Sequence, residues 1–258
     1  MQPHKLLMLL IVFVATTVMA AEAPYAGKWK MNPDKSDFGQ TTITYTQLKS
    51  GEMQATAGGQ SYKFKLDGKD NPTPIGNTAA WKSTSATTWE TIWKLNGKVL
   101  VTDTTTLASD GKTLTVQTKG TKPNGETIDD TTVFQRVSGT AGLAGKWKTK
   151  NVKSSAPEML ELTPSGTDGL TYKVVDFGLV CDSKLDGKDY PCTGPTLSSG
   201  WAVAFTKSGV RSFDYTVKMN GKVFYKGRFM APADGKTLID SGVAAGTTER
   251  IKVVYDRQ

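Results

Sequence analysis

The sequence predicts an all-β protein built from two tandem antiparallel up-and-down barrels of roughly eight to ten strands each. Three observations predict it: the 258-residue chain repeats itself, Asp-Gly and Asn-Gly turns recur along it, and apolar residues alternate with polar ones between those turns. The 36 threonines agree with strands, because β-branched residues fit a pleated surface. We expect each meander to curl shut, since an open one would leave two unpaired edges.

Residues 1–20 are predicted to be a cleaved secretory signal peptide. His4 and Lys5 give a polar start, a short apolar stretch follows, and Ala20 ends a small-residue cleavage pattern. That apolar stretch is too short to span a bilayer, although an uncleaved anchor is the alternative. We therefore expect a secreted or periplasmic protein that has no transmembrane segment after cleavage.

A tandem duplication organises the rest of the chain. The segment Ala26-Gly27-Lys28-Trp29-Lys30 recurs as Ala144-Gly145-Lys146-Trp147-Lys148, and further matches follow at separations of 118 to 124 residues. Each half therefore carries its own opening strand, and we expect each half to fold separately. The predicted divisions are a first barrel at 21–137, a linker at 138–143 and a second barrel at 144–258.

Eight Asp-Gly or Asn-Gly dipeptides mark the predicted hairpins. These residues tolerate the positive φ angles of type I′ turns, so they are a strong short-range hairpin signal. The dipeptides lie at 67–68, 96–97, 110–111, 124–125, 168–169, 186–187, 220–221 and 234–235.

A disulfide is predicted across one of these hairpins. If Asp186-Gly187 is a two-residue turn, Cys181 and Cys192 lie at equal distances on either side of it and face each other. Facing residues of an antiparallel pair are close enough for a disulfide, and export to an oxidising compartment favours the bond. Tyr62 and Thr73 hold the corresponding positions in the first half, so the bond would reinforce only the second half.

The Gly-x-Trp segments, together with an arginine in the last strand of each half, resemble the structural signature of the calycin superfamily (lipocalins, avidins and fatty-acid-binding proteins). In those families the tryptophan packs at the closed end of the barrel, and a basic residue of the final strand crosses it. The resemblance implies that Arg136 covers Trp29 and that Arg257 covers Trp147, a structural role through cation–π stacking. The chain after residue 25 also resembles a group of uncharacterised secreted bacterial two-repeat proteins, which implies no ligand or reaction.

Aromatic residues at inward-facing positions are the candidate ligand-binding residues. In the first half they are Tyr62, Phe64, Trp81, Trp89 and Trp93, and in the second half Tyr172, Trp201, Phe205, Phe213 and Tyr215. They either line a cavity or fill the core, because a small barrel is just wide enough for one or the other. The first half is favoured, since its tryptophans follow a Pro- and Gly-containing stretch, Asn71–Asn77, that is expected to form a mobile mouth loop.

The composition excludes several function classes. The only histidine, His4, lies in the expected leader, so histidine bases, Ser-His-Asp triads and histidine metal sites are not expected. Paired carboxylates such as Asp129-Asp130 are interpreted as solvated surface charge, and we expect no enzyme activity, cofactor or metal. The net charge is +8, but only five residues are arginine, so nucleic acid is not expected and an anionic surface is the expected electrostatic partner.

Two function hypotheses follow from different classes. The first is a secreted, non-enzymatic carrier or sensor that holds a small apolar or amphiphilic molecule inside a barrel. The alternative is a cell-envelope or extracellular interaction protein whose filled barrels contact polyanions, polysaccharide or another protein. An interior of about 300 Å³ or more, the low end for ligand pockets, would favour the first hypothesis.

Overall fold

The computed structural model describes residues 23–39, 41–139, 141–155 and 157–258. The expected signal peptide at 1–20, with His4, lies outside the described residues. Within the described ranges, none of the helices has the length and apolar character needed to cross a membrane. The helical segments there are two short 3₁₀ helices, Pro33–Lys35 and Val175–Phe177.

Twenty strands form two antiparallel sheets of ten strands each, which confirms the predicted all-β class and its tandem barrels. In chain order the strands are β1 (Gly27–Met31), β2 (Thr42–Gln47), β3 (Met53–Ala57), β4 (Gln60–Phe64), β5 (Asp67–Pro72), β6 (Thr78–Ser83), β7 (Thr88–Leu95), β8 (Lys98–Leu107), β9 (Thr113–Thr121), β10 (Thr127–Ser138), β11 (Gly145–Lys153), β12 (Met159–Ser165), β13 (Gly169–Val174), β14 (Leu179–Lys184), β15 (Tyr190–Thr193), β16 (Trp201–Lys207), β17 (Ser212–Met219), β18 (Lys222–Met230), β19 (Thr237–Ala244) and β20 (Arg250–Arg257).

One sheet closes completely and the other does not. Strand β1 and strands β12 to β20 form a continuous ring, which we call the closed barrel. Strands β2 to β11 form the open barrel, whose ladder ends at β4 on one side and at β5 on the other. Each barrel surrounds its own cluster of buried apolar side chains.

The opening strand of each half belongs to the barrel of the other half. Strand β1 pairs with β12 and β20 of the closed barrel, where Trp29 lies opposite Arg257. Strand β11 pairs with β10 and β2 of the open barrel, where Trp147 lies opposite Arg136. The open barrel is therefore one continuous run of chain that is inserted between β1 and the rest of the closed barrel.

This exchange corrects the expectation that the sheets follow the division at 21–137 and 144–258. The two Ala-Gly-Lys-Trp-Lys segments are identical, so either copy offers the same side chains to either sheet. Their sequence alone therefore does not specify which barrel each strand enters, and an exchange of identical elements is a low-cost arrangement.

Two of the predicted turns have the expected type I′ geometry. Asn96 and Gly97 have φ angles of 51° and 78°, and Asn220 and Gly221 have φ angles of 49° and 76°. Positive φ at both central residues is the requirement of this turn, and each pair joins two adjacent strands, β7 to β8 and β17 to β18.

The predicted disulfide is confirmed, and it lies at the seam where the two barrels differ. Cys181 of β14 is opposite Cys192 of β15, with Cα atoms 4.4 Å apart, and the two are bonded. The corresponding hairpin of the open barrel was expected at Asp67-Gly68, but β4 and β5 are not paired there. The same dipeptide therefore closes a ladder in one barrel and leaves it open in the other.

Each barrel is closed at one end by an arginine stacked over a fully buried tryptophan. The guanidinium carbon of Arg136 lies 4.0 Å from the ring centroid of Trp147, and that of Arg257 lies 4.1 Å from Trp29. The calycin-like stacking thus occurs twice, but with exchanged partners relative to the expectation. Each guanidinium also donates to three backbone carbonyls, those of Gly111, Gly142 and Ala144 for Arg136 and those of Pro24, Ala26 and Gly235 for Arg257.

Candidate ligand cavities

The open barrel encloses a cavity of about 300 Å³. Most of its lining is contributed by inward-facing side chains of the open barrel, and one residue, Phe224, comes from the closed barrel. The volume lies at the low end for small-molecule pockets, which are commonly lined by apolar and aromatic groups with a few polar atoms. The cavity is therefore large enough for a small ligand.

An aromatic wall forms one part of this cavity. The Trp81 Nε1 donates a hydrogen bond to the Tyr62 hydroxyl at 3.0 Å, which fixes both side chains. Trp93 packs against Tyr62 with ring centroids 6.3 Å apart, and Tyr45 packs against Trp81 at 5.7 Å. Burial raises the pKa of Tyr62 to about 12, so its hydroxyl stays protonated and can donate a hydrogen bond to a ligand.

A carboxylate, Asp103, lies among these rings. Its Oδ2 accepts a hydrogen bond from Trp93 Nε1 at 2.7 Å, and its Oδ1 accepts one from the Thr118 hydroxyl at 2.6 Å. Burial raises the pKa of Asp103, while the two hydrogen bonds act in the opposite direction. Among the residues that the structure describes, no lysine or arginine forms an ion pair with Asp103.

The predicted mouth loop lies at the rim of the cavity. Thr73, Pro74 and Ile75 line it. The Ser198 hydroxyl of the closed barrel donates a hydrogen bond to the Ile75 carbonyl at 2.7 Å. The loop is thus held against the other barrel, so the rim is built from both halves of the chain.

The unpaired seam between β4 and β5 borders the same cavity. Tyr62 of β4 and Thr73, directly after β5, both contribute to its lining. Across the seam, Phe64 stacks on Trp81 of β6 with ring centroids 4.5 Å apart and an interplanar angle of 25°. Side-chain packing therefore holds this part of the wall together, without backbone hydrogen bonds between β4 and β5.

The closed barrel contains a smaller cavity of about 250 Å³. Tyr215 donates a hydrogen bond to the buried Asp240 at 2.7 Å, and burial raises the pKa of Asp240 to about 7. The rings of Tyr215 and Tyr225 stack at 5.9 Å, and the disulfide-bonded Cys181 and Cys192 also line the space.

Three of the five candidates in the first half line the open barrel's cavity, namely Tyr62, Trp81 and Trp93. Phe64 and Trp89 are packed in the core instead, with 0% and 5% of their surface exposed. In the second half the residues that line the closed barrel's cavity are Tyr172, Trp201, Phe205 and Tyr215, whereas Phe213 is fully buried in the core. Ligand binding by any of these residues stays a prediction.

Two polar residues of the open barrel's interior, Asp103 and Thr118, were not among the predicted site residues. The alternation along β8 contained a signal, because Asp103 shares a face with Thr105, which is buried, and with Val101. In the facing strand β9, Thr118 lies directly opposite Asp103. Strand alternation therefore predicts both polar side chains on the inward face, beside the aromatic ones.

The Asp129-Asp130 pair lies away from this interior and is held by structural hydrogen bonds. Asp130 accepts hydrogen bonds from Ser154 and Ser155, and Asp129 accepts one from Gln117. Within the described ranges, no group of three His, Cys, Asp or Glu side chains is arranged to hold a metal ion.

Comparison of the chain with protein-family models, with curated proteins and with solved structures finds no match.

Proposed function

We propose that this chain is a non-enzymatic binding protein that holds a small amphiphilic molecule in the cavity of the open barrel. The observation that carries the proposal is the cavity of about 300 Å³ whose wall combines packed aromatic rings with the polar groups of Tyr62 and Asp103. Rigid rings bury an apolar body, and a few fixed polar groups orient a ligand's polar end. The unpaired seam beside Tyr62 supplies a place where the wall can open.

The open barrel is the better host of the two. In the closed barrel, backbone pairing continues around the whole ring and the disulfide fixes the corresponding seam. Tyr215 and Tyr225 also occupy interior space there, stacked against each other. A ligand of the closed barrel would therefore have a smaller cavity and no unpaired seam, whereas the open barrel offers a larger cavity beside a seam.

A paired substitution tests where the ligand binds. Ala57 lines the open barrel's cavity, and Val217, opposite the buried Val203, lines the closed barrel's cavity, so Ala57→Trp and Val217→Trp each narrow one of them. Fatty acids, aromatic metabolites and short isoprenoids would be screened by tryptophan fluorescence and native mass spectrometry. We expect Ala57→Trp to abolish binding and Val217→Trp to leave it unchanged. The reverse pattern, or no binding of any compound to the unmodified chain, would contradict the proposal.

We infer that the protein is exported and that its barrels are related to those of calycins. The Cys181–Cys192 disulfide supports export, because such bonds persist in oxidising compartments. The stacking of Arg136 on Trp147, repeated by Arg257 on Trp29, supports the calycin relationship. Native mass spectrometry of the protein purified from its own envelope tests both the mature mass after loss of residues 1–20 and the presence of a co-purified ligand.

A further inference from the structure

The carboxylate of Asp103 has an incomplete set of partners. An ionised carboxylate offers about four acceptor positions, and two of them are used by Trp93 and Thr118. Both of these donors are neutral, so they stabilise the negative charge without neutralising it. A partly buried charge without a counter-charge is costly, and a cation is the group that offsets this cost most fully.

The groups around Asp103 also suit a cation. Trp93 and Tyr62 pack edge to face, and Trp81 is joined to Tyr62 by its hydrogen bond, so three rings surround one side of the cavity. The faces of tryptophan and tyrosine rings attract ammonium groups through their quadrupoles, most strongly where water is excluded. A carboxylate next to several such rings is complementary to an organic ammonium group and not to a carboxylate or phosphate.

Asp240 of the closed barrel is a buried carboxyl group that can be compared with Asp103. It is 9% exposed and accepts a hydrogen bond from the hydroxyl of Tyr215, whose ring packs against Tyr225. Burial raises the pKa of Asp240 to about 7, although the hydrogen bond donated by Tyr215 acts in the opposite direction and favours the ionised form. Asp103 instead lies in a wider cavity, with part of its surface accessible.

We propose that the open barrel's cavity binds a small organic cation, a protonated amine attached to an aromatic body, with the ammonium group against Asp103. This inference rests on the proposed function, because it assumes that the cavity is the ligand site. The ammonium group donates to the free acceptor positions of Asp103, and the aromatic body packs against Trp81, Trp93 and Phe134. An arylethylamine has a size suited to a cavity of about 300 Å³.

Three compounds that share one ring and differ in charge test this proposal. We would titrate the full chain with 2-phenylethylamine, 2-phenylethanol and phenylacetate by calorimetry at neutral pH. We expect the amine to bind at least about tenfold more tightly than the alcohol, and the alcohol more tightly than the anion. This comparison uses the unmodified chain, so it does not depend on the folding of any variant.

Two substitutions then locate the preference. Asp103→Asn should weaken binding of the amine by about tenfold or more and change binding of the alcohol less than about threefold. Asp129→Asn removes the same charge from the exposed face of the same barrel and should change neither, which controls for net charge. Amide NMR spectra of both variants check that the barrels remain folded.

The outcomes distinguish the preference for a cation from the use of the cavity as a ligand site. If the alcohol binds as tightly as the amine, or if Asp103→Asn weakens both compounds equally, the cation assignment is wrong and the cavity remains a ligand site. If none of the three compounds binds and the wider ligand screen is also negative, both the assignment and the proposed function are overturned.

Discussion

The closed and open barrels share one strand plan but differ inside and at one seam. Three neighbouring residues on adjacent strands of the open barrel are Thr91, Asp103 and Thr118. The equivalent residues of the closed barrel, paired in the same way, are Tyr215, Gly227 and Gly242. A Cβ atom added to Gly227 would lie 2.5 Å from the Tyr215 ring. The two glycines therefore provide the room that the closed barrel's tyrosines fill.

The difference teaches that the two barrels share the arginine–tryptophan contact at one end and differ in their interiors and at one seam. In the open barrel the same three positions carry short polar side chains, and Thr118 donates its hydroxyl hydrogen to Asp103. The open barrel therefore has no aromatic ring at the position of Tyr215. At the seam, Cys181 and Cys192 bond where the open barrel has Tyr62 and Thr73, which line its cavity. The closed barrel thus has a continuous ladder around a cavity of about 250 Å³, while the open barrel has a cavity of about 300 Å³ bordered by an unpaired seam.

The largest expected effect concerns the strand exchange, which joins the two barrels. In the exchanged arrangement Lys28 lies opposite Glu161, whereas an unexchanged β1 would take the place of β11 and put Lys28 opposite Thr44. We expect the pair Lys28→Cys and Glu161→Cys to form a disulfide completely, because facing residues lie within bridging distance. The matched pair Lys28→Cys and Thr44→Cys should remain reduced. Non-reducing peptide mapping measures both, and the opposite result would show that each half keeps its own strand.

Much of the fold could be predicted because local rules determine it. The Asn96-Gly97 turn and the pairing of Cys181 with Cys192 depend on neighbouring residues, and both were predicted correctly. The exchange of β1 with β11 could not be predicted, because the two segments are identical and the choice depends on packing between distant parts of the chain. The open seam could not be predicted either, since Asp67-Gly68 carries the same turn signal as Asp186-Gly187.

The cavity was only partly predictable for a related reason. Period-two alternation shows which aromatic side chains face inward, and Tyr62, Trp81 and Trp93 were found in this way. Alternation does not show how much volume those side chains leave, because that depends on the partners across the barrel. Phe64 faces the interior as expected, yet it packs on Trp81 and is fully buried.

The next largest expected effect is on the pH dependence of stability, and it comes from Asp240 of the closed barrel. The open barrel has no equivalent carboxyl group, because Val116 holds that position. The folded-state pKa of Asp240, about 7, lies above the usual value of about 4, so the folded state retains the proton over that interval. The free energy of unfolding should therefore fall as pH rises from about 4 to 7, by up to about 4 kcal/mol.

The variant Asp240→Asn keeps an acceptor for Tyr215 and removes the titration. We expect it to remove most of this pH dependence in the closed barrel, with a remainder from Glu158, whose pKa is also raised by burial, and to unfold at higher denaturant than the unmodified chain at pH 8. Asp168→Asn, at an exposed turn of the same barrel, is the control and should leave the dependence in place. Denaturation followed by amide NMR at several pH values measures the effect. An unchanged pH profile in Asp240→Asn would contradict the assignment.

A smaller effect is expected from the disulfide. Replacing Cys181 and Cys192 by alanine releases a short loop, with a sequence separation of 11, so the closed barrel should lose about 2 to 3 kcal/mol of stability. The disulfide joins two strands of the closed barrel, so the stability of the open barrel should be unaffected, which hydrogen exchange of its amides would measure. An equal loss of stability in both barrels would contradict this prediction, because it would show that the two barrels unfold as one unit.

The smallest expected difference lies at the end of each barrel where arginine covers tryptophan. Arg136 and Arg257 make the same cation–π contact and the same three hydrogen bonds to backbone carbonyls. Alanine at either position should therefore destabilise its own barrel by about 1 to 3 kcal/mol, through the lost stacking and the unpaired carbonyls. Since the two ends match, the two losses should agree within about 0.5 kcal/mol, the usual error of additivity.

The partner of each arginine can be identified by a double-mutant cycle, which also tests the exchange at this end. Arg136→Ala should couple with Trp147→Phe and not with Trp29→Phe, because residues in contact show interaction energies that distant residues lack. Arg257→Ala should couple with Trp29→Phe in the same way. Coupling of Arg136 with Trp29 would mean that each half keeps its own strand. Unequal losses for the two arginines, with the exchanged coupling intact, would show that the open seam weakens the far end of its barrel as well.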